Sequence, residues 1–248
     1  MNKLKKVFFI EGTRIPFQLS GTGYKNLESY ELARHSLYEL QDKLKFNLKN
    51  KVDNVIFGNV IQDCKTTNIA RESMLVSNFE HTIPSSTVTM ACISSNKAIT
   101  DGVNSILTDE SNAVIAGGVE TMSDMPIKLS KPIRRMMFES RKWKTKMDLL
   151  NGISALRLRD IGIEIPSITE FSTNETMGFS ADKLSKNWNV SREEQDNYAL
   201  RSHNLAKIAK EENYLTDNKY LFTDNNFCDD NLIKHDSTID KLKSLKPV

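Results

Sequence analysis

Apolar positions in the first 120 residues follow two alternating rhythms, short continuous runs and windows spaced by three and four. Val7 to Ile10 is a β-branched and aromatic run closed by Gly12 and Pro16, which predicts a buried strand. Ala33, Leu37, Leu40 and Leu44 then recur at helical spacing along one face. Asn54 to Ile61 predicts a second strand, and the window after Asn68 a short helix capped by that asparagine. The stretch "SSTVTMA", residues 85 to 91, alternates as a third strand. Ile99, Val103, Ile106 and Leu107 predict the core stripe of a third helix, and "AVIAGGVE", residues 113 to 120, a fourth apolar run.

The order β-α-β-α-β-α-β predicts an α/β layered fold with a mostly parallel sheet covered by helices. Ligands of such sheets bind beyond the carboxyl ends of the strands. Cys92 follows the third run at a strand-to-helix junction, in "VTMACISSNKAIT".

The pattern changes near residue 121, dividing the chain into residues 1–120 and a mainly helical part, 121–248. From Lys128 to Arg159 ten basic residues face only Glu139 and Asp148. A capping box, Ser191 with Glu194 three residues on, opens a long helix carrying Tyr198, Leu205 and Ile208. The last 35 residues are rich in Asn, Asp and Lys and predict an irregular or hairpin-containing tail.

Composition adds mainly exclusions. A formal net charge of +2 gives no reason to expect nucleic-acid binding, and any basic contact must be local to residues 128–159. Cys64, Cys92 and Cys228 form no C-x-x-C pair, which argues against a disulfide framework and, with four scattered histidines, against a structural metal. The basic start "MNKLKK" leads into only four apolar residues before Glu11, too few for a signal-peptide core, so no targeting segment is expected within the chain.

Cys92 has two readings from the residues alone. Free cysteine is commonly a buried filler. At the entry to a helix, however, unpaired N–H groups and the macrodipole favour an anion, the form in which a thiol attacks. Ser94, Ser95 and Asn96 would suit capping there. Spacing leaves both readings open. Gly117 and Gly118 are similarly open between close backbone approach and a tight turn.

Six blocks carry a resemblance: "FFIEGTRIPF", "VIFGNVIQDCKTTNIARE", "TVTMACISSNKAI", "VIAGGVETMSDMPI", "STNETMGFSADKLS" and "SREEQDNYALRSHNLA". In this order and at these separations they resemble the N-terminal half of a thiolase. The basic stretch and "EFSTNETMG" are most similar to the branch formed by the β subunits of mitochondrial trifunctional proteins. The resemblance to the thiolase pattern is greater than to that of the related ketosynthases.

The resemblance implies thiolytic cleavage of a 3-ketoacyl-CoA to acetyl-CoA and a shortened acyl-CoA in fatty-acid β-oxidation, with Cys92 acylated. CoA and acyl-CoA are then substrates, and no cofactor is implied. Met177, which periodicity alone would put in a core, matches a segment lining the acyl-CoA pocket. Lys234, in "LIKHDST", matches a basic position near the nucleotide of CoA. Implied partners are CoA thioesters, further copies of the chain and a hydratase/dehydrogenase α subunit. The implied location is the matrix side of the inner mitochondrial membrane. Residues 128–159 interleave Met136, Met137, Phe138, Trp143 and Met147 with cations, so they would serve a solvated face, a membrane surface or the α subunit.

The resemblance also implies groups whose motifs are not in this sequence: a Gly-His-Pro histidine, a Cys-x-Gly cysteine and an Asn-Glu pair. His35, His81, His203 and His235 lie outside any Gly-His-Pro, and Cys64 and Cys228 read as packing and as a surface thiol. The sequence stops at "LKSLKPV", where the family continues into a return strand. The expectation is that these 248 residues alone have little thiolase turnover, the alternative being an inactive thiolase-like fragment acting in membrane or partner binding.

Overall fold

Parallel β-α-β alternation is realised with three strands. The computed structural model describes residues 5–44, 51–214 and 229–246, together with the backbone of 222–223 and 226–227; Cys228 lies outside them. Contacts divide the chain into two units, Met1–Asp124 with Ala181–Val248, and Met125–Ser180. This division returns the long helix and the tail to the first unit, whereas the sequence pattern divides at residue 120.

In the first unit, α1 (Ser29–Leu44) precedes β1 (Asn54–Gly58), α2 (Ile69–Val76), β2 (Ser85–Val88), α3 (Ser94–Leu107) and β3 (Val114–Gly118). The sheet order is β2-β1-β3, with Val55 level with Ser85 and Ile115, and all pairing is parallel. Asn68 caps α2 as predicted, its Oδ1 accepting from Arg71 N at 3.2 Å. One face of β1 packs under α1 and α2, where Ala33, Leu37, Val55, Phe57, Ile69, Ala70 and Met74 form the main core. Burying a leucine or phenylalanine this completely contributes about 1.5–3 kcal/mol each.

Two expectations are corrected here. First, α3 does not bury its predicted stripe. Its buried residues are Ser94, Ala98, Gly102 and Ser105, while Ile99 and Leu107 are 51% and 42% exposed. Small side chains at i, i+4 and i+8 let the helix lie close on the sheet; a Cβ on Gly102 would stand 3.1 Å from Val114 Cγ1. Secondly, Val7 to Ile10 is neither a strand nor buried: it runs outside any ladder, with Phe9 88% exposed. A strand needs a neighbour for its backbone groups, and among the described residues this segment has none.

The space beside it explains both results. A cavity of about 850 Å³ is lined by every residue from Val7 to Thr13 and from Asn112 to Gly118. Leu37, Leu40 and Leu44 of α1 also line it, as do Ile99, Val103 and Ile106 of α3. Consecutive residues of β3 reach it, so it abuts the edge of that strand, and the apolar stripe of α3 faces this trench.

The second unit holds β4 (Lys128–Leu129) paired antiparallel with β5 (Ile163–Glu164), and between them α4 (Lys131–Ser140) and α5 (Lys146–Ser154). Pro132 in its first turn and a Thr145–Asp148 capping box start these helices. Arg134 donates to Leu129 O and to Glu164, tying α4 to the strand pair. Gly152 gives the Trp143 ring room against the α5 backbone, since a Cβ there would lie 2.0 Å from it. None of residues 125–180 is buried. Phe138, Leu158, Ile168 and Phe171 stand out as large exposed apolar side chains.

Helix α6 (Met177–Asn187) leads from the second unit into the first, followed by α7 (Arg192–Glu211), the two-residue strands β6 (Phe222–Thr223) and β7 (Asn226–Phe227), and α8 (Ile239–Lys243). Ser191 and Glu194 form the expected capping box of α7. The strands β6 and β7 pair antiparallel. The tail is clasped to the segment before α1 by Asp230, which accepts from both Arg14 terminal nitrogens at 2.8 and 2.6 Å and from Phe17 N at 2.6 Å. Among the described residues, no helix is long and apolar enough to cross a membrane.

Candidate active site

Strand β2 ends at Val88, and the chain needs only Thr89 to Ile93 to turn into α3 at Ser94. Such a short reversal forces unusual backbone. Ala91 has φ of 45°, a left-handed conformation that costs a residue with a Cβ about 1–2 kcal/mol. Ser94 staples the turn: its hydroxyl accepts from Met90 N at 2.8 Å and donates to Ala91 O at 2.6 Å. Ile93 N reaches Met90 O at 3.2 Å, and Ser94 N reaches Ala91 O at 3.1 Å. Cys92, between the stapled residues, is exposed. The filler reading therefore fails on burial.

The cap of α3 is not the one the residue types suggest. Ile93 is the N-cap, and its hydrocarbon side chain can accept no hydrogen bond; the Ser94 hydroxyl is turned back into the loop. The first turn of α3 is thus free of a side-chain cap beside Cys92, two residues away.

The sheet holds this helix start at close range. A Cβ on Gly58 would lie 2.4 Å from Ser94 C and Ser95 N, and one on Gly118 would lie 2.1 Å from Ser95 Oγ. These glycines are level with each other across β1 and β3. The close-approach reading holds for Gly118 and not for Gly117, whose added Cβ meets only Phe57 Cε1 at 3.8 Å.

Three polar residues absent from the sequence reading complete the carboxyl edge. Asn59, 4% exposed, donates from N to Val88 O at 3.1 Å and from Nδ2 to Val119 O at 2.9 Å and Glu120 Oε1 at 3.2 Å. Its carbonyl accepts from Thr89 Oγ1 at 2.5 Å. Glu120 also accepts from Val60 N at 2.8 Å and Ile61 N at 3.3 Å. Desolvation pushes the Glu120 carboxyl above its ordinary range, opposed by these backbone N–H groups and Asn59. The available signal was a polar residue directly after each apolar run, in "FGN" and "GGVE".

Other predicted residues are not gathered by any contact with Cys92. Lys234 is exposed, its backbone N donating to His203 Nδ1 at 3.3 Å. Met177 is 53% exposed at the start of α6, which rules out the core reading. Cys64 is exposed rather than packed. Among the described residues no hydrogen bond reaches the Cys92 thiol, and no cluster of three or more His, Cys, Asp or Glu is placed to hold a metal. The arrangement presents an accessible thiol on a stapled turn at the carboxyl end of a parallel sheet.

The chain is similar to known proteins along most of its length. A family model described as "Thiolase, N-terminal domain" matches residues 7–248. The chain is 50% identical over 214 residues to "Trifunctional enzyme subunit beta, mitochondrial" of Mus musculus, covering 86% of this chain and 45% of that protein. It is 41% identical over 248 residues to "Probable 3-ketoacyl-CoA thiolase" of Caenorhabditis elegans, covering 98% of this chain and 55% of that protein. The crystal structure of Bacillus anthracis acetyl-CoA acetyltransferase matches with a TM-score of 0.74 at 30% identity, covering 96% of this chain and 57% of that one. The chain spans about half the length of these relatives.

Proposed function

The chain belongs to the thiolase family, and from that premise we propose that it acts in thiolytic cleavage of 3-ketoacyl-CoA during fatty-acid β-oxidation, with Cys92 as acyl acceptor. The observation that carries this reading is the exposed thiol on a strained, stapled turn between β2 and α3. The Cys92 sulfur attacks the 3-keto carbonyl, the C2–C3 bond breaks, and its electron pair leaves with the acetyl-CoA portion, which takes up a proton at C2. The thiol of a second CoA then attacks the acyl-cysteine thioester, transferring the acyl group and releasing Cys92. Within this chain Cys92 supplies the nucleophile, Ser94 holds its turn, and Met177 and Lys234 are assigned to acyl-CoA binding.

The test is transfer of an acyl group from acetyl-CoA or acetoacetyl-CoA, read by mass spectrometry of the Cys92 peptide. An adduct on Cys92 that Cys92→Ala abolishes is expected; labelling of Cys64 alone, or of neither, overturns the reading.

A docking role accompanies it. Residues 125–180 bury no side chain, expose Phe138 and Phe171, and carry ten cations between Lys128 and Arg159. The name of the murine relative, subunit beta of a mitochondrial trifunctional enzyme, supports a partner subunit and a mitochondrial location for this chain. The reading assigns the apolar side chains to that partner and the cations to partner or anionic lipid.

A further inference from the structure

We propose that Asn59 is a positioning residue for Cys92, held by Val119 and Glu120 and acting through Thr89 on the turn that presents the thiol. The inference rests on the reading of Cys92 as acyl acceptor and concerns how that residue is aimed.

Asn59 is the one described residue whose hydrogen bonds join the carboxyl ends of all three strands: its own β1, β2 through Val88 and Thr89, and β3 through Val119 and Glu120. Ending a strand requires only backbone pairing. Here a carboxamide is buried as well, and both amide hydrogens find acceptors, as burial of such a group demands. Glu120 in turn fixes the chain leaving Asn59 by accepting from Val60 N and Ile61 N. Asn59 is therefore held from both sides before it receives Thr89 Oγ1 at 2.5 Å.

Thr89 is the first residue of the turn, three before Cys92. Ser94 secures the far end, and Ala91 between them is in a conformation that persists only where its surroundings over-determine it. The Thr89 hydroxyl is the side-chain tie between the sheet and the near end of that turn. Loss of this tie lets Ala91 relax and the thiol wander. A displacement on the order of 1 Å at a reacting group costs up to about a hundredfold in rate.

The experiment compares wild type, Thr89→Val, Thr89→Ser, Asn59→Ala and Glu120→Gln in the full chain. It measures acyl transfer from acetyl-CoA to Cys92, iodoacetamide alkylation of Cys92 with exposed Cys64 as internal reference, and urea midpoints. Expected are a roughly ten- to hundredfold slower acylation of Cys92 in Thr89→Val and Asn59→Ala, with Cys64 alkylation unchanged and Thr89→Ser restoring the rate. Thr89→Val is close to isosteric and decides the matter if Asn59→Ala fails to fold. Wild-type acylation with an equal rate in Thr89→Val overturns the positioning role. Absence of acylation in wild type overturns the reading of Cys92 instead, and the Cys92 to Cys64 alkylation ratio in Thr89→Val and Thr89→Ser then judges the positioning role alone.

Discussion

Ser95 rests directly on Gly118: its hydroxyl occupies the place where a Cβ on that glycine would stand, 2.1 Å away. The helix that follows Cys92 is thereby set against the ends of β1 and β3, with Gly58 making the same allowance for the Ser94 backbone at 2.4 Å. Gly118→Ala and Gly58→Ala are expected to destabilise the chain by about 1–3 kcal/mol through overpacking and to slow acylation of Cys92. Gly117→Ala, with 3.8 Å to its nearest neighbour, is expected to do neither. Urea denaturation of the three variants beside the acylation assay checks the contrast.

Glu120 gives the sheet edge a pH signature. Its carboxyl is raised in the fold by desolvation, so the folded chain binds this proton more tightly than the unfolded one. The resulting stability is present below the unfolded value near 4.5 and is lost as pH rises through the folded value. Glu120→Gln does not ionise. The difference in urea midpoint between variant and wild type is therefore expected to move in the variant's favour above pH 4.5; a difference constant from pH 4 to 7 would contradict it.

Asp53 behaves oppositely. Asn112 N at 2.6 Å and Ala113 N at 3.2 Å donate to its carboxylate, and these backbone bonds hold it below its ordinary range. Its contribution is present above the unfolded value of 3.8 and is lost as pH falls through the lowered folded value. Asp53→Asn is expected to be less stable than wild type at pH 7, with the gap closing in acid, as thermal or urea melts at pH 7 and pH 3 would show.

For residues 125–180, the predictions concern charge. Arg134 is committed to Glu164 and Leu129 O, so exposed Arg135, Lys142 and Lys144 are the cations to reverse. The triple change to glutamate is expected to weaken sedimentation with cardiolipin-containing vesicles by about 1 kcal/mol per cation removed from the surface. Equal sedimentation with neutral vesicles would show that these cations do not recognise anionic lipid, and none with either would remove lipid as their ligand.

What the sequence made legible divides along physical lines. The Asn68 cap of α2 and the Ser191–Glu194 box of α7 depend on residues three apart and are legible in the sequence. The face of α3 is not, because hydrophobicity marks where large side chains lie and not which side presses on a sheet. Gly102 and Ala98 win that contact by being small. Val7 to Ile10 has a strand's composition, but pairing is a property of two segments and one cannot declare it. Asn59 and Glu120 are 61 residues apart and meet only once the parallel register of β1 and β3 is set. Cys92 could be singled out as a candidate because a junction between a strand and a helix is itself a local feature.

The trench beside β3 also governs the chain as a solute. Among the described residues β3 is paired on one side only, and such an edge next to Phe8, Phe9 and Ile10, at 75%, 88% and 73% exposure, is the kind of surface that seeds self-association. A net charge of +2 offers little long-range repulsion between copies. Light scattering is expected to rise steeply with concentration and to persist in high salt, since apolar contact rather than charge drives it. Dilution, more than any change of buffer ion, should decide how much of the chain remains monomeric.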